Sequence, residues 1–200
     1  MTRTSNLRSQ EDPLKVLFIG GTGIISSACV DLAVARGIDV VLLNRGRATR
    51  PIPETVSVLQ GDIRDQDAVS ELLQDMTFDV VADFVAFTPA HVETDLALFR
   101  GRTKQYIFIS SASAYQTPPV NWLTTESTPL RNPYWAYSRD KIACEERLVV
   151  AYREEGFPVT IVRPSHTYDA RSLPLDGGYT VVQRMRTGKP VIVHGDGTSL

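Results

Sequence analysis

Short apolar runs alternate with longer segments in which apolar residues recur every three or four positions. The first run, Lys15–Ile19, leads into a glycine-rich stretch, and the segment after it keeps a helical spacing as far as Gly37. The pattern predicts strands over Lys15–Ile19, Ile38–Leu43, Val56–Leu59, Asp79–Val85, Tyr106–Ile109 and Val159–Val162. It predicts helices over Ile25–Arg36, Asp65–Asp75, Pro89–Arg100 and Ala136–Glu155.

The predicted strands are apolar along nearly their whole length. Strands of this kind lie in a parallel sheet that helices cover on both sides, whereas a half-exposed strand alternates apolar and polar residues. Strand, helix and strand repeated along one chain give a doubly wound domain. The predicted fold class is therefore α/β, with a doubly wound parallel sheet.

The chain is expected to contain three regions. Residues 1–13 are polar with mixed charge and predict a mobile N-terminal arm. Residues 14–170 contain the doubly wound domain. Residues 171–200 begin a smaller lobe, with a helix over Tyr179–Thr187 and a short strand over Val191–Val193. Because the chain stops just after the turn residues 195–197, we expect this lobe to be truncated.

A glycine-rich turn joins the first predicted strand to the first predicted helix, and its sequence is Gly20-Gly21-Thr22-Gly23-Ile24-Ile25-Ser26. Gly20 permits a tight turn, and Gly23 lets the backbone approach a pyrophosphate at the positive end of the helix. Ser26 stands where the usual pattern has a third glycine, and we expect a small packing adjustment and retained binding. The alternative is an ordinary turn, but the flanking strand and helix favour a Rossmann-type dinucleotide site.

The end of the second strand bears on the choice between NAD and NADP. A carboxylate there accepts hydrogen bonds from the ribose 2′-hydroxyl, whereas an arginine pairs with a 2′-phosphate. This strand ends Leu43-Asn44-Arg45-Gly46-Arg47, with no acid and two arginines. We expect NADP, with NAD as the second choice. The alternative is that both arginines are solvated cations of a loop.

A tyrosine and a lysine lie four residues apart on the longest predicted helix. This spacing puts Tyr137 and Lys141 on one face, one turn apart. A free tyrosine has a pKa of about 10, and a nearby ammonium lowers it. The fifth strand runs into Ser110-Ser111-Ala112-Ser113, and ligands of such sheets bind beyond the carboxyl ends of the strands. These residues predict a site for proton exchange with a substrate.

Composition and charge narrow the choice of partners. With 200 residues, 42% of them hydrophobic, the chain can form one substantial core. Its net charge of -2 lacks the basic excess of nucleic-acid-binding proteins, and no apolar run approaches the ~20 residues of a membrane span. The two cysteines make no disulfide framework, which favours a cytoplasmic location. We therefore expect a small-molecule substrate, with no nucleic acid, membrane or metal.

Several motifs occur together in a recognisable order. They are Gly20-Gly21-Thr22-Gly23, Gly61-Asp62-Ile63-Arg64, Ser110-Ser111 with Tyr115, Tyr137 with Lys141, and Arg163-Pro164. On these motifs, residues 14–200 resemble the extended branch of the short-chain dehydrogenase/reductase superfamily, the NAD-dependent epimerase/dehydratase family. The resemblance implies an NAD(P)-dependent oxidoreductase or epimerase. Such an enzyme transfers a hydride at a secondary alcohol, here of a sugar or nucleotide-sugar derivative.

The resemblance also implies roles for individual residues. Ser111 would polarise the substrate oxygen, Tyr137 would exchange a proton with it, and Lys141 would hold the nicotinamide ribose. Substrate contacts are implied for Ser111, Ser113 and His166. The implied cofactor-binding residues are Gly20, Gly21, Thr22, Gly23, Ile24, Ile25, Asn44, Arg45, Asp62, Ile63, Phe84, Val85, Ala86, Ser110, Lys141, Pro164, Ser165 and His166. Relatives often dimerise through the helix that carries the tyrosine and lysine, which implies a homodimer.

Some positions depart from the family pattern. Dehydratases carry an Asp-Glu pair where this chain has Ala112 and Ser113, so sugar 4,6-dehydration is not expected. His166 stands where nucleotide-sugar enzymes usually have an asparagine, which weakens the case for a UDP-sugar. Residues 193–197 resemble the start of the family's substrate-binding domain. Two alternatives stay open, a non-catalytic nucleotide-sensing or RNA-binding relative and a truncated chain that binds cofactor without turnover.

Overall fold

Six parallel strands form one sheet in the part of the chain that the computed structural model describes, residues 13–47 and 50–193. The strands are β1 (Lys15–Ile19), β2 (Asp39–Asn44), β3 (Ser57–Gln60), β4 (Phe78–Asp83), β5 (Thr103–Ile109) and β6 (Val159–Val162). Their order across the sheet is β3-β2-β1-β4-β5-β6. The chain winds outward from β1 to β3, returns, and winds outward again from β4 to β6. The predicted doubly wound α/β fold is confirmed, and its topological switch point lies between β1 and β4.

Four helices connect these strands, namely α1 (Ile24–Ala35), α2 (Gln66–Leu73), α3 (Pro89–Phe99) and α4 (Ala136–Glu155). Pro89 opens α3, where a residue without an N–H loses no helical hydrogen bond. Helix α4 ends at Gly156, whose φ of 69° suits glycine at a helix C-terminus. None of the described helices has both the length and the apolar character needed to cross a membrane.

The core lies in two layers, one on each face of the sheet. Successive residues of β1 alternate between them, since Leu17 and Ile19 belong to one cluster and Val16 and Phe18 to the other. The first layer packs the sheet against α2, α3 and α4, and the second packs it against α1. Burial on both faces explains why the strands read as continuous apolar runs.

Strand β4 ends at Asp83, two residues earlier than the sequence predicts. The carboxylate of Asp83 accepts hydrogen bonds from the backbone N–H groups of Val85 and Ala86, the latter at 2.8 Å. These two groups are therefore turned away from the strand ladder. The apolar residues after Asp83 form a turn at the switch point rather than a continuation of β4.

The chain divides into two compact units, Met1–Ser165 and His166–Leu200. The second contains α5 (Tyr179–Arg186), close to the predicted helix. The strand predicted over Val191–Val193 is wrong, because residues 191–193 are irregular. An apolar run forms a strand only where a neighbour offers backbone partners, and the described residues of this unit contain no other strand. The predictions for residues 1–12 and 194–197 lie outside the described residues.

Leu148→Ala tests the packing of α4 on the sheet. Leu148 is fully buried in the first core layer, so its truncation is expected to lower the free energy of unfolding by about 2–5 kcal/mol. Val150→Ala is the matched control, because Val150 lies on the same helix and is 41% exposed. Its change is expected to stay below about 1 kcal/mol in urea unfolding followed by circular dichroism. Equal losses would contradict this packing.

Candidate active site

The glycine-rich turn needs glycine for two separate reasons. Gly20 has a φ of 87°, and a Cβ placed on it would overlap a methyl group of Val85. A Cβ on Gly21 would overlap the side chain of Leu42, which is fully buried in β2. The turn therefore runs tightly between the ends of β2 and β4, and larger residues are excluded there.

Ser26 holds the turn together from inside. Its side chain is buried, and its Oγ donates to the carbonyl oxygen of Gly20 at 2.8 Å. The same Oγ accepts from the N–H of Gly23 at 2.8 Å. A glycine at this position would allow the helix to pack closely on the strand. Ser26 instead makes two hydrogen bonds across the turn.

The amino end of α1 suits an anion. The first N–H groups of a helix lack acceptors within the helix, and here Ile24 and Ile25 begin it. No acidic residue lies in this first turn. The helix dipole is positive at the same end. The glycines that admit a backbone approach and this helix terminus together fit the pyrophosphate of a dinucleotide.

The end of β2 carries an amide and a cation. The Oδ1 atom of Asn44 accepts from the N–H of Gly46 at 2.9 Å, which fixes the start of the loop. The Nδ2 atom of Asn44 is buried without a hydrogen-bond partner among the described residues. Arg45 is exposed beside it. This position therefore offers the exposed guanidinium of Arg45, and residues 44–47 include no carboxylate.

The motif at residues 61–64 supports the turn after β4. Ile63 is buried in the core, while Asp62 is exposed and accepts from the N–H of Arg64 at 3.1 Å. The guanidinium of Arg64 donates to the carbonyl oxygen of Val85. The predicted cofactor contacts of Asp62 and Ile63 stay predictions, and Arg64 is the residue of this motif that reaches the switch point.

The turn after β4 lies at the centre of the site. Val85 and Ala86 form this turn and donate to Asp83, and their contact with a cofactor stays a prediction. Phe84 instead packs its ring on Phe18, with the ring centroids 5.5 Å apart and nearly perpendicular. Its side chain joins the core layer beside α1.

Lys141 joins this turn to the end of β5. Its Nζ donates to the carbonyl oxygens of Ala86 at 2.7 Å and Ile109 at 2.6 Å. The side chain is only 1% exposed, and burial lowers its pKa from 10.5 to about 8. The ammonium thus sits where β4 and β5 end, and two of its three N–H groups are used by the backbone.

Tyr137 lies one turn before Lys141 and is half-buried. Burial raises the pKa of its phenol, and a hydrogen bond with the side chain of Ser111 lowers it. The Nζ atom of Lys141 lies 5.8 Å from the centre of the tyrosine ring. The three residues predicted from the sequence are therefore neighbours, and the contact made by the phenol is with Ser111.

The serines after β5 take different positions. Ser110 is buried and donates to Glu145, so it faces away from the cleft. The Oγ atoms of Ser111 and Ser113 are 2.9 Å apart, and Ser138 donates to Ser113 at 2.8 Å. A chain of hydroxyl groups thus runs from the interior of α4 to Ser111.

An ion pair that sequence reasoning missed anchors the strand after α4. Arg163 donates to both carboxylate oxygens of Glu145, with its Nε at 3.0 and 3.1 Å, and to the hydroxyl of Tyr115 at 3.1 Å. The next residue, Pro164, accepts from the N–H of Ala112 at 2.9 Å. The sequence showed Arg163-Pro164 as a motif, but it did not show that Glu145 is its buried partner. Glu145 lies on a helix with many charged residues of both signs, so nothing marked it out.

The remaining predicted residues lie after this ion pair. Pro164 is half-buried and Ser165 is exposed at the end of the first unit. His166 is the first residue of the second unit and is exposed. Among the described residues, no cluster of three or more potential metal ligands occurs.

A model of the NAD dependent epimerase/dehydratase family matches residues 16–200. The chain belongs to this family. A UDP-glucose 4-epimerase from Lactobacillus helveticus is 31% identical over 172 residues, covering 75% of the chain and 51% of the relative. A 2′-dehydrokanamycin reductase from Streptomyces kanamyceticus is 26% identical, covering 96% of the chain and 54% of the relative. The chain spans about half the length of these curated relatives.

Solved structures show the same fold as this family member. A dTDP-glucose 4,6-dehydratase from Bacillus anthracis, in complex with NAD, has a TM-score of 0.75 and 19% identity. It covers 92% of the chain, which spans 65% of that structure. A UDP-glucuronic acid 4-epimerase from Bacillus cereus, with UDP-glucuronic acid and NAD, has a TM-score of 0.71 and 21% identity. It covers 92% of the chain, which spans 67% of that structure.

The ionisation of Lys141 is directly measurable in this epimerase/dehydratase-family chain. Burial favours the neutral amine, so the Cε resonance of Lys141 is expected to titrate near pH 8 in NMR spectra of protein with ¹³C-labelled lysine. Lys104 is exposed and pairs with Asp79, which raises its pKa, so it serves as the internal control. Lys141→Met assigns the resonance. A Lys141 titration near the usual value of about 10.4 would contradict the burial seen here.

Proposed function

We propose that this protein is a nicotinamide-dependent oxidoreductase or epimerase that acts on a secondary alcohol of a sugar or nucleotide-sugar derivative. One observation carries the proposal. Tyr137 lies beside Ser111 and near the buried ammonium of Lys141, which bridges the carboxyl ends of β4 and β5. The glycine-rich turn opens at the same end of the sheet, where α/β folds bind their ligands.

The cofactor in this proposal is held mainly by backbone. The amino end of α1 takes the pyrophosphate, and the turn at Val85 and Ala86 lines the groove. The bound nicotinamide supplies the hydride chemistry. Lys141 has one N–H left after its two backbone hydrogen bonds, and this group can donate to a ribose hydroxyl.

Tyr137 and Ser111 act on the substrate oxygen. Tyr137 gives or takes the proton as the alcohol interconverts with a carbonyl. Ser111 Oγ accepts from the N–H of Ser113 at 3.2 Å and lies 2.9 Å from the hydroxyl of Ser113. Ser138 donates to Ser113, so the three hydroxyl groups form one connected chain that ends at Ser111. This chain holds Ser111 in place, where its hydroxyl can donate to the substrate oxygen.

The site favours oxidoreduction or epimerisation over dehydration. Dehydration needs an acid and a base besides the tyrosine, and Ala112 and Ser113 occupy the positions where dehydratases carry a carboxylate pair. The ring of Trp135 lies 4.8 Å from that of Tyr137 and is 55% exposed. It offers a flat apolar wall next to the proton donor, which suits one face of a sugar ring. The homodimer and the cytoplasmic location stay predictions.

For the cofactor, we propose a preference for NADP(H) over NAD(H). Arg45 is exposed at the end of β2, and Asn44 stands where a carboxylate would select a ribose hydroxyl. Guanidinium pairs well with phosphate. The NAD seen in the related structures belongs to those proteins.

Arg45→Ala tests the preference. The chain is expected to bind NADPH at least tenfold more tightly than NADH, as measured by nicotinamide fluorescence, and Arg45→Ala is expected to remove most of this difference. Arg36→Ala is the control, because Arg36 is an exposed arginine at the opposite end of α1. Equal affinity of the wild-type chain for both cofactors would defeat the proposed role of Arg45. Failure to bind either cofactor would defeat the proposed function itself.

Tyr137→Phe tests the proton transfer. The substitution removes the phenol oxygen and keeps the ring between Trp135 and Phe87. Cofactor affinity is expected to stay within a few-fold, and turnover with a panel of nucleotide sugars to fall at least a hundredfold, in the range typical of a lost general acid. Tyr134→Phe, an exposed tyrosine just before α4, is the control. Retained turnover would remove Tyr137 from the reaction.

A further inference from the structure

Two aspartates lie buried directly behind the turn that follows β4. Asp83 ends β4 and Asp95 lies on α3, and both are 0% exposed. The Oδ1 atom of Asp83 accepts from the N–H groups of Val85 and Ala86. The Oδ2 atom of Asp95 accepts from the hydroxyl of Tyr106 at 2.7 Å. Each carboxyl group therefore has one oxygen committed to a neighbour.

The other oxygen of each carboxyl group has no donor. Oδ2 of Asp83 and Oδ1 of Asp95 are both buried without a hydrogen-bond partner in the described structure. The two carboxyl groups are neighbours, since the charge of Asp83 and a hydrogen bond with Asp83 are among the causes that raise the pKa of Asp95. Two carboxylates in such contact would repel each other in the interior, and both orphaned oxygens would stay unsatisfied. A single proton between them satisfies both.

We propose that Asp83 and Asp95 share one proton, and that Asp95 is a positioning residue that holds the turn at Val85 and Ala86 in its cofactor-binding shape. The role in positioning rests on the function proposed above. The shared proton does not, because it follows from the buried geometry alone. No residue of the pair touches the reacting atoms.

The proton belongs on Asp95. Asp83 accepts two backbone N–H groups, which favour a carboxylate, whereas Asp95 accepts one neutral phenol. Burial, the charge of Asp83 and the hydrogen bond with Asp83 all raise the pKa of Asp95, while Tyr106 and Arg64 lower it less. Burial also raises the pKa of Tyr106, which keeps it a neutral donor.

Ionisable side chains from several neighbouring segments act on the two aspartates. The ionisable groups that act on the pair are Arg64 before α2, His91 on α3, Tyr106 on β5, and Lys141 and Cys144 on α4. Arg64 is the alternative source of a donor, because its Nη1 atom is also buried without a partner. If Arg64 donated hydrogen bonds to the two unpartnered carboxylate oxygens, both aspartates would be ionised.

The pair connects to the catalytic ammonium through the backbone. Asp83 fixes the N–H of Ala86, and the carbonyl oxygen of Ala86 accepts from Lys141. A loss of the shared proton would set two negative charges against each other and push Asp83 away from the turn. Val85, Ala86 and Lys141 would then shift together.

Asp95→Asn separates the shared proton from ordinary packing, because an amide is nearly isosteric with a protonated acid and donates at every pH. A carboxyl whose pKa is raised in the folded state stabilises the fold below its unfolded pKa, and this contribution is lost as the pH rises toward the folded pKa. The unfolding equilibrium constant of the wild type should therefore rise by up to about tenfold per pH unit above about pH 4 from this group. Asp95→Asn should remove that component, and urea unfolding across pH 4–9 measures it.

Asp31→Asn, an exposed acid on α1, is the matched control and should keep the pH dependence of the wild type. Asp95→Ala should lose stability and at least tenfold in NADPH affinity at pH 7, while Asp95→Asn should stay within threefold. If Asp95→Ala does not fold, the comparison of Asp95→Asn with Asp31→Asn still decides the question.

If Asp95→Asn leaves the pH dependence of the unfolding equilibrium constant unchanged, the shared proton is overturned. That result would favour two ionised carboxylates that accept hydrogen bonds from Arg64. Normal NADPH affinity in a folded Asp95→Ala variant would overturn the positioning role. If the wild-type chain binds no nicotinamide dinucleotide, the proposed function and the positioning role fall together. The pH dependence of unfolding would still decide on the proton.

Discussion

The buried ammonium of Lys141 is the interaction on which the site depends. It bridges the carbonyl oxygens of Ala86 and Ile109, and so joins the ends of β4 and β5 at one point. A charge in the interior is stable only when its hydrogen bonds are made, so the backbone on both sides is fixed by it. This contact fixes the positions of the turn after β4 and of the serines after β5.

Helix α4 is the element that makes this bridge possible. Its inward face carries Lys141, Cys144, Leu148 and Ala151 in successive turns, so the same stripe that anchors the helix in the core also delivers the ammonium. Tyr137 lies on the same stripe, one turn before Lys141, and is half-buried near the start of the helix. The residues that pack α4 into the core and the residues of the candidate site therefore lie on one helix face. A rotation of α4 would displace both sets together.

The sequence predicted what is local. The strands were recognisable because burial on both faces makes them continuously apolar, and Tyr137 and Lys141 were recognisable because helical spacing alone sets their separation. The pairs that organise the site were not predictable in this way. Arg64 reaches Val85 across 21 positions and Arg163 reaches Glu145 across 18, and no periodic pattern links residues that the fold brings together. The strand predicted over Val191–Val193 was wrong for a related reason. A strand needs a neighbouring strand to pair with, and the apolar run does not show whether one is present.

Ser26 changes how the glycine-rich turn would meet a nucleotide in the proposed function. A third glycine would leave the loop to be ordered by the phosphates, at a cost in backbone entropy. The serine cross-link between Gly20 and Gly23 sets the loop in advance, so less conformational freedom is lost on association. The same link occupies the Gly23 amide, which moves the phosphate-facing donors one step along the chain. In the proposed function, a nucleotide would therefore bind to a rigid loop whose phosphate-facing donors are slightly displaced along the chain.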